Sequence, residues 1–310
     1  QTMMIRSASV KRACPAAVPG LCAGAAALAD EIVVLAVAAK GAAEALLPYA
    51  SEVIWLGDQA EGSMIEDYVP ALAERILALA PRLVLTGTSS RDRCISARLA
   101  VRLGAGVITD ISGARIGDDG TLIMTRSVYG GTASATVRAA AAITVAVVPE
   151  GVFGEAAAGA AGRFTESPAA PEKNGIERLS VDVRQEERVN LSAAKRVIGV
   201  GRGLGAGKNL APVEAFASKI GAELACTRPI AEEEALMAKN RYVGVSGLSI
   251  RPDVYIACGI SGQVQHMVGV NASRVIIAVN KDAKAAIFQN CDYGIVGDMN
   301  KIIPALDELL

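Results

Sequence analysis

Histidine is nearly missing from this chain: His266 is the only one in 310 residues. Aromatics are scarce as well, at 4%. The six cysteines (Cys14, Cys22, Cys94, Cys226, Cys258 and Cys291) contain no CxxC pair. One imidazole and scattered thiols argue against a zinc site or an iron–sulfur centre. An excess of charge of one sign is missing too. The 31 basic and 32 acidic residues are mixed along the chain, so no broad field attracts nucleic acid or an anionic membrane. No apolar run reaches transmembrane length; the longest candidate, Ala139–Val148, ends at Pro149. The first thirty residues are basic and alanine-rich like a targeting peptide, but Asp30 and Glu31 follow at once and lead into EIVVLAV. That stretch is read as a weak first strand and helix. Cys94, Cys226 and Cys258 sit among apolar neighbours, as reduced core thiols do, and a reducing cytoplasmic compartment is expected.

What remains is 52% apolar, with alanine and glycine supplying much of it, which suits tightly packed α/β layers. The length allows about two domains. From Glu31 to Val148 short β-branched runs alternate with helical periodicity. EIVVLAV, EVIWL, RLVLTG, VITDIS, TLIMTRSV and AITVAVV read as strands. Ile65–Ala80 and Arg91–Leu103 read as helices, the first with Pro70 in its opening turns, and GDDG (Gly117–Gly120) reads as a hairpin turn. Residues 154–190 change texture, with the small-residue run Gly154–Gly162 and the proline-rich SPAAPEKNG (Ser167–Gly175). They read as a connection, with Leu179–Val189 as a possible edge strand. The expected division is residues 1–190, including that connection, and residues 191–310.

The second domain is better punctuated. KRVIGVG, AELAC, DVYIACG and SRVIIAVN read as strands, while Asn209–Ile220, Glu232–Lys239, the segment begun by GQVQHM and Met299–Leu310 read as helices. Strands alternating with helices imply a mostly parallel sheet with right-handed crossovers. Glycine and polar residues gather where the strands run out: Gly201–Gly203, Thr227–Arg228, Gly244–Ser246, Gly259–Gly262, Asn280 and Gly297–Asp298. In a parallel sheet those ends share one edge, and ligands bind along it. Six such turns can surround a large, extended, phosphate-bearing molecule.

Taken singly the motifs say less. GVGRGLGAGKN (Gly199–Asn209) fails the Walker A pattern, since Arg202 stands where its first glycine belongs and Asn209 replaces Ser/Thr. Arg202 beside backbone N–H groups nevertheless suits a phosphate. Arg228, stiffened by Pro229, suits either a ligand or a salt bridge to Glu232–Glu234. Ser246 in VSG is an ordinary turn residue on its own, and Asn280 is a common polar cap. His266 follows Ser261, Gly262, Gln263, Val264 and Gln265 in a glycine turn entering a helix, where an anion can bind, though a lone histidine is often a satisfied core side chain. No hydrolase signature accompanies it.

In sequence, VIGVGRGLGAGKN, CTRPIAE, YVGVSG, IACGISGQVQHMVG, VIIAVNKD and IFQNCDYGIVGDMNKIIPAL resemble the FAD domain of electron transfer flavoprotein α-subunits, of the FixB type. The resemblance is dense from Lys195 to Leu310 and thinner through MIEDY (Met64–Tyr68) and VYGG (Val128–Gly131). It implies an α/β chain of two domains, each a mostly parallel sheet flanked by helices, the second Rossmann-like. It further implies one FAD, a β-subunit partner, and electron carriage between a soluble acyl-CoA-type dehydrogenase and a downstream acceptor, without enzymatic chemistry of the chain's own. By the same resemblance Arg202 and Thr227 contact the FAD phosphates, and Arg228 lies against the flavin ring near N5. The turn Val243, Gly244, Val245 and Ser246 brings a hydroxyl to N5. Ser261–His266 reach the pyrophosphate and ribityl chain with His266 near N1 and O2, while Asn280, Asp298 and Met299 surround the adenosine end. Reduction places negative charge over N1 and the C2 carbonyl, so His266 is expected to become its protonated partner. Two positions depart from the family pattern: Gly244-Val245-Ser246 stands where GQT is frequent, keeping a hydroxyl but removing an amide, and Thr227 stands where serine is frequent. An NAD- or CoA-binding enzyme on the same sheet geometry is the alternative reading.

Overall fold

The computed structural model describes residues 2–7, 17–131, 133–154, 157–159, 162–173, 175–176, 178–180 and 190–310. The chain divides into two compact units: Gln1–Val128 with Thr132–Val183, and Tyr129–Gly131 with Arg184–Leu310.

The first unit contains strands β1 (Thr2–Ser7), β2 (Ile32–Val37), β3 (Glu52–Trp55), β4 (Leu83–Thr86), β5 (Gly106–Ile108), β6 (Ile111–Ile116), β7 (Leu122–Val128), β8 (Ala133–Arg138), β9 (Thr144–Val147) and β10 (Arg163–Glu166). Its helices are α1 (Ala17–Ala26), α2 (Lys40–Glu44), α3 (Val69–Leu79) and α4 (Ser90–Leu103). Seven strands form a parallel sheet in the order β10-β3-β2-β1-β4-β9-β5. The unbroken apolar run of β2 follows from burial on both faces. Ile32, Val34 and Ala36 join the core shared with α1, while Val33, Leu35 and Val37 join the one shared with α3 and α4. Helix α3 turns Val69, Leu72, Ala73 and Ile76 inward, a stripe at helical spacing that begins with Pro70 in the tolerated first turn. Helix α4 starts at a Ser89–Asp92 capping box and stops at Gly104 in the left-handed region.

Several expectations need correction here. VITDIS is two strands: β5 stays in the parallel sheet, Asp110 turns the chain at φ +56°, and β6 pairs antiparallel with β7. Strand β8, which completes a three-stranded antiparallel sheet with β6 and β7, has almost every residue exposed and so carries no apolar alternation to read. Within the supposed connection, β10 adds to β3, tied by Arg163 Nη2 donating to Glu52 Oε2 at 2.7 Å and Thr165 donating to Glu52 Oε1. The possible edge strand at Leu179–Val189 falls mostly on residues 181–189, outside the described residues.

The second unit holds β11 (Arg196–Val200), α5 (Ala211–Ile220), β12 (Glu223–Cys226), β13 (Val254–Cys258), α6 (Val264–Met267), β14 (Val275–Asn280), β15 (Tyr293–Val296) and α7 (Met299–Leu309). All five strands are parallel, in the order β12-β11-β13-β14-β15. Beyond β12, Tyr242 makes one parallel bridge to Cys226, with Val243 N donating to Cys226 O at 3.0 Å. With that rudimentary strand counted, the order in chain sequence becomes 3-2-1-4-5-6, the Rossmann arrangement, and its direction of travel reverses between β11 and β13. One face packs Val197, Ala225, Tyr255, Ala257 and Ala278 against Met267 and Val270; the other packs Ile198, Val200, Ile256 and Cys258 against α5 and α7. The helix expected over Glu232–Lys239 is not formed. A π-turn over Pro229–Glu233 ends just before Ala235, whose φ of +49° breaks helical continuation.

Candidate functional site

Register fixes the edge. Val200 lies level with Cys226 and Cys258, Cys258 with Val279, and Val279 with Ile295. The residues that follow, Gly201, Thr227, Gly259, Asn280 and Val296, therefore crown one rim of the sheet, with Gly297 next beyond Val296. At the reversal between β11 and β13, backbone meets backbone. A Cβ on Gly201 would come within 2.4 Å of Gly259 O, and one on Gly203 within 2.4 Å of Gly259 Cα. Gly201 N donates to Cys258 O and Gly203 N to Gly259 O, each at 2.9 Å. Gly262 is held at φ +81°, and a Cβ there would lie 2.2 Å from Ile287 N. Glycine is used where the chain must be this close to itself. Farther along the first turn, Gly205 and Gly207 face open space.

Around this floor stand exposed side chains: Arg202, Arg228, Val245, Ser246, Ser261, Gln263, Val264 and Gln265, with Thr227 half-buried. Glu232 accepts from Arg228 Nε at 2.7 Å, and the paired carboxylate holds that guanidinium above its ordinary range. Ser246 Oγ lies 3.2 Å from Tyr242 Oη. The Gly244–Ser246 turn is tied down by Gly244 N donating to Leu248 O and by Val245 N donating to Gln265 O at 2.8 Å. It also backs onto Gly269, where a Cβ would come within 2.6 Å of Gly244 N. The structure thus joins the turns after β11, β12, the Tyr242 bridge and β13 on one rim.

The remaining expected contacts have structural employment. Asn280 Nδ2 donates to Ile260 O at 2.8 Å, and its Oδ1 accepts from Asp282 N at 2.9 Å, so it binds β14 to the glycine turn. Asp298 caps α7 by accepting from Asn300 N at 2.9 Å. Met299 is buried, its sulfur beneath Gly259. Val243 is fully buried. Cys226 and Cys258 are buried as expected and burial pushes both thiols up to about 12, whereas Cys94 is only half-buried.

His266 is buried as well. It is 7% exposed, with Nδ1 3.1 Å from Val243 O and Nε2 2.8 Å from Tyr255 Oη. Burial lowers its pKa to about 4, against a smaller upward pull from the Val243 carbonyl. In this structure the ring is a neutral, fully bonded core group, as a lone histidine often is; the protonation expected of it concerns the reduced flavin. Tyr242 and Tyr255 were not singled out from the sequence. A signal did exist: Gly199 interrupts the strand RVIGV, and glycine inside a strand marks close approach of another group.

A dinucleotide needs backbone that can approach its pyrophosphate, cations at the rim and hydroxyl or amide groups along its length. The glycine floor at the sheet reversal, Arg202, and the Ser246 and Ser261–Gln265 turns fit that need. The family model for the electron transfer flavoprotein domain matches residues 17–172, and that for the electron transfer flavoprotein FAD-binding domain matches residues 190–271. The second match takes in Arg202 through His266; Asn280, Asp298 and Met299 lie past its end. Protein FixB of Escherichia coli (strain K12) and of Escherichia coli O157:H7 are each 42% identical to this chain over 301 residues, spanning 96% of it and 95% of their own length. Protein FixB of Shigella dysenteriae serotype 1 gives the same figures. The chain belongs to the electron transfer flavoprotein α-subunit family, of the FixB kind, and its cofactor is FAD.

Proposed function

We propose that this chain pairs with an electron transfer flavoprotein β-subunit and carries electrons from a soluble, acyl-CoA-type dehydrogenase to a downstream acceptor, performing no substrate chemistry of its own. The observation that carries the reading is the rim itself: glycines that admit a long ligand to the backbone, crowned by exposed hydrogen-bonding side chains. The ionisable groups deepest in that edge are a neutral imidazole, a phenol held well above its ordinary range and two high-pKa thiols. Such groups suit a redox cofactor held in place better than acid–base catalysis at neutral pH.

In this reading Arg202 and Thr227 hold the phosphates, Arg228 and Ser246 face the flavin ring near N5, and Ser261–Gln265 follow the pyrophosphate and ribityl chain. Asn280, Asp298 and Met299 shape the adenosine end by fixing the turns rather than by offering free side chains. His266 supports the flavin end from below through the Val243 carbonyl. The flavin supplies the electron transfer; the chain's residues bind it, orient it and set the field around it. Arg228 gives that field a fixed positive charge, shared with Glu232.

The test is co-purification with the β-subunit, extraction of the bound cofactor and titration of the apo complex. One FAD per heterodimer is expected. Replacing Arg202 with Ala should weaken FAD binding about 10- to 100-fold, the scale of a lost charge-assisted hydrogen bond of roughly 1.5–3 kcal/mol. Recovery of NAD or coenzyme A instead of FAD, or undiminished FAD affinity in Arg202→Ala, refutes the assignment.

A further inference from the structure

We infer that Tyr255 is a positioning residue for the flavin site: its hydroxyl locks His266 in a single neutral tautomer, and His266 in turn anchors the Val243 carbonyl at the root of the turn that carries Ser246. This rests on the FAD reading of the same rim and deepens it.

The direction of each bond follows from one carbonyl. Val243 O can only accept, so the ring nitrogen facing it at 3.1 Å, Nδ1, carries the hydrogen. In a neutral imidazole Nε2 is then the acceptor, and Tyr255 Oη, 2.8 Å away, donates to it. Protonating the ring would turn Nε2 into a donor and oblige the buried phenol to place its own hydrogen elsewhere. No charged side chain contributes to the ring's protonation balance; only burial and the Val243 carbonyl do. The titratable groups packed nearest are Tyr255 itself on β13, the Cys226 and Cys258 thiols beside Tyr255, and Tyr242 at the start of the turn.

The fold gives up a side chain for this contact. Tyr255 is wholly buried and crosses strand β11, where a Cβ on Gly199 would sit 1.8 Å from its hydroxyl. Only glycine at 199 lets the phenol reach His266. The turn above depends on the result. Val243 N is paired with Cys226 O, Gly244 N with Leu248 O, and Val245 N with Gln265 O. The Val243 carbonyl completes the set through His266, so two consecutive residues of the 263–267 segment, Gln265 and His266, carry the turn that brings Ser246 to the rim.

The chain's single histidine makes the test direct. The heterodimer is prepared with nitrogen-15 histidine in this chain alone, so one ring reports. One protonated nitrogen and one hydrogen-bonded bare nitrogen are expected at pH 7, with no titration between pH 5 and 8. In Tyr255→Phe the bare nitrogen should lose its bonded shift, and the ring should titrate roughly one unit higher, a tenfold gain in proton affinity, because the bond favouring the neutral form is gone. The bound flavin's reduction potential, which rises in the parent as pH falls because reduction itself takes up a proton, should then rise more steeply than the parent's toward pH 5, where the added ring charge favours the reduced form. Gly199→Ala should reproduce these changes with the hydroxyl intact. A parent ring that titrates between pH 5 and 8, or that carries its proton on Nε2, overturns the inference and leaves the FAD reading standing. Unchanged nitrogen signals and potential in Tyr255→Phe do the same. A heterodimer without FAD overturns both.

Discussion

Among the described residues, the carboxyl ends of β2, β3, β4 and β10 in the first sheet are occupied by the sheet's own side chains. Trp55 Nε1 donates to Ala38 O at 2.7 Å, and Lys40 lies over the rings of Trp55 and Phe164 while pairing with Glu166. The Thr86 and Ser96 hydroxyls bond each other, and Ser89 and Asp92 consume the start of α4. At the same edge of the second sheet glycines replace such groups, and Arg202, Ser246, Ser261, Gln263 and Gln265 stand exposed. Both sheets are parallel and both offer strand ends in one row. The difference teaches that topology supplies a place for a ligand, while small residues and uncommitted surface groups decide whether the place is used.

Adding atoms is the strongest way to break this contrast. Gly262→Val puts a β-branched side chain at φ +81° and against Ile287 backbone. A left-handed conformation costs about 1–2 kcal/mol and overpacking about 1–3 more. A large drop in melting temperature and loss of flavin on desalting are expected. Gly207→Ala, which faces open space, should change stability by no more than about 0.5 kcal/mol. Equal behaviour of the two variants would show that the glycine floor is incidental.

Acid sharpens the comparison next. The unfolded chain binds a proton at His266 near its ordinary pKa of 6.5, whereas the folded chain does so only at about 4. Stability present above pH 6.5 is therefore lost progressively as pH falls toward 4, by on the order of 3 kcal/mol. Calorimetry should place this loss in the second unit, and His266→Gln should flatten it. A melting temperature for that unit that holds steady from pH 6.5 to 4.5 would contradict the buried neutral ring.

The smallest effect belongs to the first unit. Arg93 Nη1 donates to Asp110 Oδ2 at 3.0 Å and holds that carboxyl below its ordinary 3.8. The pair stabilises above that pH and fades as pH drops through the lower folded value. Arg93→Ala should cost about 1 kcal/mol or less, reduce the acid sensitivity below pH 4 and leave FAD affinity untouched. Altered FAD binding in this variant would blur the division of labour between the sheets.

Much of this was legible before any coordinates. IVVLAV, VYIAC and VIIAV announce strands covered on both faces because nothing polar interrupts them, and the glycine turns after them mark one rim. What escaped was set by partners distant in sequence. His266 reads as a loop histidine until Tyr255 and Val243, 11 and 23 residues away, take up its two nitrogens. Strand β10 holds through Glu52, 111 residues from Arg163, which no local pattern reveals. Asp110 splits one apolar run into strands of two sheets by a single backbone angle.

One rung of hydrogen bonding, Tyr242 to Cys226, is all that represents the outermost strand of the Rossmann sheet. Beyond it hangs the short peptide that presents Ser246. A border so narrow leaves the exposed side chains at 245 and 246 open to exchange without disturbing the ladder, whereas Gly244 and Gly247, packed against Gln265 O and Tyr242 O, hold the turn itself. In the proposed reading, voltage is then retuned at the margin of the domain while its foundation keeps the same footprint.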